Sequence, residues 1–236
     1  MKVIKKVILV LVVLMIFVGT GLMTYGYAFY RQTIAKVPID TKVTEIRNDY
    51  TYVKSEELPE IYLKSVVAVE DKRFYKHGAI DIVGIGRAFF ANLKSKAFKE
   101  GGSTITQQVA KNMYYIEEKN PVKRKLAEAF TASALERKYS KKDILELYVN
   151  IIYFGDGYYG IKEATNGYLH KEPKDMNLSE ITMMVGVPNA PSVYAPTANK
   201  DLCKKRQKKV ISTITHEKMI TDEEAKNIDN SFIDSI

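Results

Sequence analysis

The chain has 236 residues, 46% of them hydrophobic, with one cysteine and a net charge of +8 from 36 basic and 28 acidic side chains. A single cysteine excludes an internal disulfide and a cysteine-based metal centre, so Cys203 reads as inert. With an apolar stretch at the N-terminus, the positive charge points to anionic lipid headgroups and phosphorylated lipid substrates rather than to nucleic acid.

No charged residue occurs from position 7 to position 30. A helix needs roughly 20 apolar residues to cross the hydrocarbon core, so this segment is long enough to span it with some tilt. Lys2, Lys5 and Lys6 precede it, and Arg31 and Lys36 come after it. That bias puts the N-terminus in the cytoplasm and the remaining chain outside a cell membrane crossed once. The competing reading is a cleaved signal peptide, whose apolar region is typically only about 7–15 residues long. Thr24-Tyr25-Gly26-Tyr27-Ala28 is a poor cleavage site, so residues 1–30 are taken as a tip and anchor. Tyr25, Tyr27 and Tyr30 suit the outer interface.

The remaining roughly 200 residues fit one domain with a real core. Residues 31–54 read as a polar stalk, in which Val43, Thr44, Ile46, Tyr50, Thr51, Tyr52 and Val53 allow a strand or two. From Pro59 onward the apolar spacing is helical: 61–69, 80–97, 105–115, 122–139, 142–153, 161–169, 179–187 and 198–218. Ser140, the Asn177–Glu180 run and Thr221 look like helix caps, the last opening a short helix in a C-terminal tail, 221–236. The fold class is mainly α. In 80–99, Ile82, Gly86, Phe89, Phe90, Leu93 and Ala97 share a face, with Arg87, Lys94, Lys96 and Lys99 elsewhere. Such a helix either lies in a membrane interface or packs that face into the core.

Glu70 and Asp71 close an apolar run, where partial desolvation raises a carboxyl's pKa and makes it a usable base. Gly101-Gly102-Ser103-Thr104 precedes a helical segment and reads as an N-terminus with exposed N–H groups, a seat for an anion. Arg124 and Lys125 lie four and three positions before Glu128, on one helical face. Each block alone reads as caps, solvated lysines or a weak surface ion-pair ladder. Together, two carboxylates suit sugar chemistry, and clustered cations suit a pyrophosphate leaving group.

These blocks occur in a recognisable order: Glu70-Asp71 with Phe74, His77 and Gly78; Gly101 to Gln108 with Lys111-Asn112; Arg124-Lys125 with Glu128 and Leu135-Glu136; Lys142-Asp143-Ile144-Leu145 with Tyr148, Asn150 and Gly155; and Ala164, Tyr168, Lys171, Leu178 and Glu180 through Pro188, Pro191, Tyr194 and Pro196. In this the chain resembles the peptidoglycan glycosyltransferases, the polymerase module also found in class A penicillin-binding proteins, over roughly residues 55–200.

The resemblance implies a lysozyme-like, two-lobed glycosyltransferase domain over 55–220, with a membrane-associated small lobe near 80–100. It implies polymerisation of lipid II into β-1,4 glycan, with inversion at the sugar and release of undecaprenyl pyrophosphate. Glu70 would be the general base, and Glu128 would order the cations and the donor site. Lys111, Arg124 and Lys125 would hold the pyrophosphate, with Ser103, Thr104, Gln107 and Asn112 adding polar contacts. The implied partners are lipid II, the growing glycan chain, the bilayer and other wall-synthesis proteins. No cofactor is required. A divalent cation, Mg or Mn, at Asp71 is one expectation, and Asp71 as a hydrogen-bond partner is the other, since two adjacent carboxylates are a thin metal signature. His77 is expected to be structural.

The chain departs from the family pattern at Leu169-His170, where the family usually has Phe-Gly. It departs again at Lys119, where an Arg is common, and lysine there loses the bidentate fork. No Ser-x-x-Lys or Lys-Thr-Gly transpeptidase signature is present. Two other functions compete with polymerisation. One is a cell-wall lyase or hydrolase, which would not need the cation cluster. The other is a non-catalytic scaffold, which would not retain Glu70, Lys125 and Glu128.

Overall fold

A computed structural model describes residues 2–95 and 101–236. It is built almost wholly of helices: α1 (Lys2–Lys36), α2 (Ile39–Arg47), α3 (Glu60–Glu70), α4 (Ile82–Ser95), α5 (Ile105–Ala110), α6 (Pro121–Lys138), α7 (Lys141–Ile151), α8 (Ile161–Leu169), α9 (Leu178–Gly186), α10 (Pro191–Tyr194), α11 (Lys200–His216) and α12 (Asp222–Lys226). A small antiparallel hairpin, β1 (Tyr153–Gly155) and β2 (Tyr158–Tyr159), comes after α7. The mainly helical class read from the sequence holds.

The helix starts have local causes. Thr104, Ser140, Asn177 and Thr221 each cap a helix in a reciprocal box, their side chains accepting the backbone N–H three positions on. Asn120 accepts from Val122 and Lys123 ahead of Pro121, a residue whose fixed φ suits the first helical turn. α8 ends at His170, which adopts a left-handed φ of 53°. Glycine adopts that conformation without steric cost, so a side chain at 170 carries some backbone strain.

The strand expectation around Val43 fails. That stretch is helix α2, with Ile39 and Val43 buried in the core. Tertiary pairing with α7 overrides the β-branched composition. Arg47 donates to Asp143 at 2.7 Å, Tyr52 to Glu146 at 2.6 Å, and Asn150 exchanges bonds with both backbone groups of Val53.

α1 is the one described helix long and apolar enough to cross a membrane, with a mean hydropathy of 2.8 over its best window. Its last turns pack on α6. Gly26 lies against Leu126, so closely that a Cβ on Gly26 would come within 2.3 Å of the Leu126 Cβ. Tyr30 stacks on Phe130, Tyr27 meets the same ring edge-on, and the Lys123 ammonium sits 3.7 Å from the centre of the Phe29 ring. α4 does the reverse. Ile82, Val83, Phe90 and Leu93 are each more than half exposed. Core packing, one of the two readings for this helix, is therefore excluded for these side chains. Ala97, Lys96 and Lys99 lie outside the described residues.

Two substitutions test this packing. Gly26→Leu should lower the thermal midpoint of the detergent-solubilised chain by several degrees, since overpacking costs about 1–3 kcal/mol. An unchanged midpoint would mean that α1 does not dock as described. His170→Gly should raise the midpoint by about 2–4 °C, the equivalent of roughly 1 kcal/mol of relieved backbone strain.

Candidate active site

The apolar run of α3 (Val66, Val67 and Ala68 are buried) delivers two carboxylates at its end, aimed at different partners. Glu70 is almost enclosed. Its Oε2 accepts from the Gln108 amide at 3.0 Å, while its Oε1 has no hydrogen bond among the described residues. The Arg206 guanidinium, from α11, stands 3.7 Å from Oε1. Burial pushes the Glu70 carboxyl above the ordinary range, and adjacent Asp71 adds to this, against the opposing pull of Gln108 and Arg206. The Tyr148 hydroxyl, also buried and without a hydrogen bond, feels the Glu70 charge, although its own upward shift comes first from burial.

Asp71 leaves the helical path with φ −155° and turns the other way. Its Oδ2 accepts the Ile105 N–H at 3.0 Å, and its Oδ1 is 2.8 Å from His77 Nε2. The anion seat expected at the start of α5 is therefore filled by a carboxylate of the chain itself. His77 also meets the Gly78 carbonyl through Nδ1, so both ring nitrogens face acceptors. That is a structural placement for His77.

Asp71, His77 and Asp81 bring one donor atom each within 4.8 Å of one another. The set suits a hard divalent cation poorly. It offers one nitrogen and two carboxylates where such ions prefer a full shell of oxygens, and Arg73 already donates to Asp81 at 3.1 Å. Of the two roles expected for Asp71, hydrogen-bond partner is the one its contacts describe.

The second cluster sits on α6. Glu128, 3% exposed, lies 3.3 Å from Arg124 Nε and 3.0 Å from Lys125 Nζ. Lys125 Nζ also donates to the Ser103 hydroxyl at 2.6 Å. Lys111 opens a π-helical turn (Lys111–Tyr115) directly after α5 and has no acidic partner among the described residues. Thr104 and Gln107 are spent on the α5 capping box, with Thr104 donating in addition to Ala79, and Asn112 donates back to the Gln108 carbonyl. Each of these three has a role within the fold. The α5 segment ties the clusters together: Ser103 to Lys125, Ile105 to Asp71, Gln108 to Glu70.

Sequence reasoning does not single out Gln108 and Arg206 as partners of the base. Arg206 lies in the run Lys204-Lys205-Arg206-Gln207-Lys208-Lys209, which reads as a solvated face. Its position between the buried Cys203 and Val210, at helical spacing, is the available signal. Two open grooves, of about 550 and 380 Å³, lie around α8 and between α2 and α7, and hold none of these residues.

Residues 39–215 match the model of the family described as Transglycosylase. The chain belongs to that family, and the resemblance drawn from its motifs to the peptidoglycan glycosyltransferase module of class A penicillin-binding proteins is thereby shown. It is 44% identical over 177 residues to penicillin-binding protein 1A of Neisseria lactamica, covering 75% of this chain and 22% of the relative. It is 39% identical over 191 residues to penicillin-binding protein 1F of Bacillus subtilis (strain 168), covering 79% and 27%. The chain thus matches about a quarter of the length of these relatives. The crystal structure of penicillin-binding protein 1A from Haemophilus influenzae aligns with a TM-score of 0.44 at 21% identity, over 74% of this chain and 16% of that one.

The Asp71 junction can be tested by Asp71→Asn. The amide keeps an acceptor for the Ile105 N–H but gives up the carboxylate's charge toward the start of α5 and His77, and hydrogen bonds to charged groups are worth about 1.5–3 kcal/mol. A fall of several degrees in thermal midpoint is expected. An unchanged midpoint would show that the junction carries no stability.

Proposed function

We propose that the chain polymerises lipid II, a disaccharide-pentapeptide on undecaprenyl pyrophosphate, into β-1,4 glycan. In this reading the 4-hydroxyl of the incoming lipid II attacks the anomeric carbon of the growing chain. The bond from that carbon to the pyrophosphate oxygen breaks with inversion, and the lipid pyrophosphate leaves with the electron pair. Glu70 takes the hydroxyl proton on Oε1. Lys111, Arg124 and Lys125 receive the charge that builds on the leaving group, so no acid is needed to protonate it. Glu128 holds Arg124 and Lys125 in place, and Ser103 fixes Lys125 from the other side.

The observation that carries this reading is the contrast between the two buried carboxylates. Glu128 is paired to two cations, whereas Glu70 keeps an open oxygen and a raised proton affinity. A base of raised proton affinity, joined through the α5 segment to a cation cluster, fits transfer from a pyrophosphate. A lyase or hydrolase would use a protonated Glu70 as its acid but would leave the cations without a task.

By the same reading α1 anchors the protein in the cell membrane with its N-terminus cytoplasmic and the catalytic domain outside. The exposed apolar side chains of α4 would rest in the outer leaflet beside the lipid-borne substrate. Monofunctional action, without transpeptidation, is part of the proposal, as is association with other wall-synthesis proteins. Charge compensation is assigned to the lysines and arginine rather than to a metal at Asp71.

Labelled lipid II and the detergent-solubilised chain should yield glycan polymer, and Glu70→Gln should lower the rate by about 10²–10⁴-fold, the usual worth of a general base. Cleavage of preformed glycan without consumption of lipid II would replace the polymerase reading with the lyase. Because the base must be ionised and burial raises its pKa, the rate should climb with pH through a midpoint above the ordinary glutamate value of about 4.3. A rate independent of pH from 4 to 8 would contradict Glu70 as the proton acceptor.

A further inference from the structure

Among the described residues, Glu70 Oε1 is the one oxygen of the base left without a hydrogen bond, and the cation paired with it at 3.7 Å belongs to α11, a helix that lies beyond all five motif blocks. The Arg206 guanidinium stands at 3.7 Å, too far for a hydrogen bond and close enough for strong attraction at a site where both side chains are largely buried. It is held there independently of Glu70. Its Nε donates to the Gly186 carbonyl at 3.2 Å, and its guanidinium carbon lies 5.8 Å from the centre of the Tyr194 ring. The glycine at 186 is also what admits the side chain, since a Cβ there would lie 3.0 Å from Arg206 Cγ.

We propose that Arg206 is a positioning residue for Glu70: it fixes Oε1 and favours its ionised form by charge alone, leaving the oxygen's lone pairs open to the incoming hydroxyl. This rests on the reading of Glu70 as the proton acceptor. The groups facing Glu70 from each packed element are few: Asp71 beside it, the Gln108 amide from α5, the Tyr148 hydroxyl from α7 and Arg206 from α11. Among the described residues, Arg206 is the only cation of these. A direct hydrogen bond from a lysine or arginine would hold the carboxylate more firmly, but it would occupy the lone pair that the reaction needs. α11 is thereby part of the catalytic unit, with Arg206 on the face that also buries Cys203, Gln207 and Val210.

The test uses the full-length chain in detergent, with Arg206→Met and Arg206→Lys beside the native protein. Glutamate labelled with 13C at the side-chain carboxyl reports the Glu70 signal, assigned by its loss in Glu70→Gln. Removing the cation should move the Glu70 titration midpoint up by about one pH unit or more, and lysine should restore part of that shift. In polymerisation at neutral pH, Arg206→Met should lower kcat about tenfold or more with little change in KM, the acid limb moving up with the midpoint. A Glu70 midpoint that stays in place in a folded Arg206→Met variant would overturn the proposal. So would a loss confined to KM. The carboxyl titration needs no substrate, so it decides the pairing even where the native chain yields no polymer, an outcome that would instead remove the polymerase reading.

Discussion

The structure depends on a parting of two adjacent carboxylates at the end of α3. Helical geometry would carry Glu70 and Asp71 forward about a hundred degrees apart, but Asp71 is drawn out to an extended φ by two partners. One is the Ile105 N–H at the start of α5, and the other is the His77 ring. This bond does for α5 what an external anion does at other helix starts, and it fixes α5 relative to α3. Everything chemical hangs on that placement. Gln108, one turn along α5, reaches Glu70, and Ser103, just before it, reaches Lys125.

The two glutamates of the site are buried with different partners. Glu128 is enclosed with two cations, so its charge is compensated locally and orders the surface of α6. Glu70 has one amide and one cation at a distance, and enclosure raises its hold on the proton. A carboxyl whose folded pKa lies above its unfolded one lowers stability as pH rises through that window, so Glu70 burdens the fold at neutral pH. The fold bears this at the position where an open, desolvated oxygen can act as a base. α1 enters the same scheme from the other side: its last turns pack against α6 through Gly26, Tyr27 and Tyr30, so the helix that carries the cations is seated directly on the long apolar helix.

Much of this is legible in the sequence because the signals are local. The caps at Ser140, Asn177 and Thr221, the helical spacing from 61 onward, and the pairing of Arg124 and Lys125 with Glu128 all lie within four residues of their causes. The features that escape are set at long range. The segment around Val43 has strand-forming composition and becomes helical only because α7 supplies Asp143, Glu146 and Asn150 to hold α2 and the Tyr52–Ser55 stretch beyond it. Thr104 and Gln107 form the α5 capping box, a role that their place in a run of polar residues does not by itself reveal. Arg206 is hidden among lysines, and only the packing of α11 against α3 and α9 reveals which cation of that run turns inward.

The central claim is that the site transfers a sugar from a lipid pyrophosphate and does not cut one off a finished strand. The most direct measurement is the stoichiometry of a polymerisation: glycosidic linkages formed, undecaprenyl pyrophosphate released, and the anomeric configuration of the product. One pyrophosphate per linkage is predicted, with β configuration throughout and no accumulation of new glycan ends from preformed strands. New ends appearing without pyrophosphate release would contradict the claim.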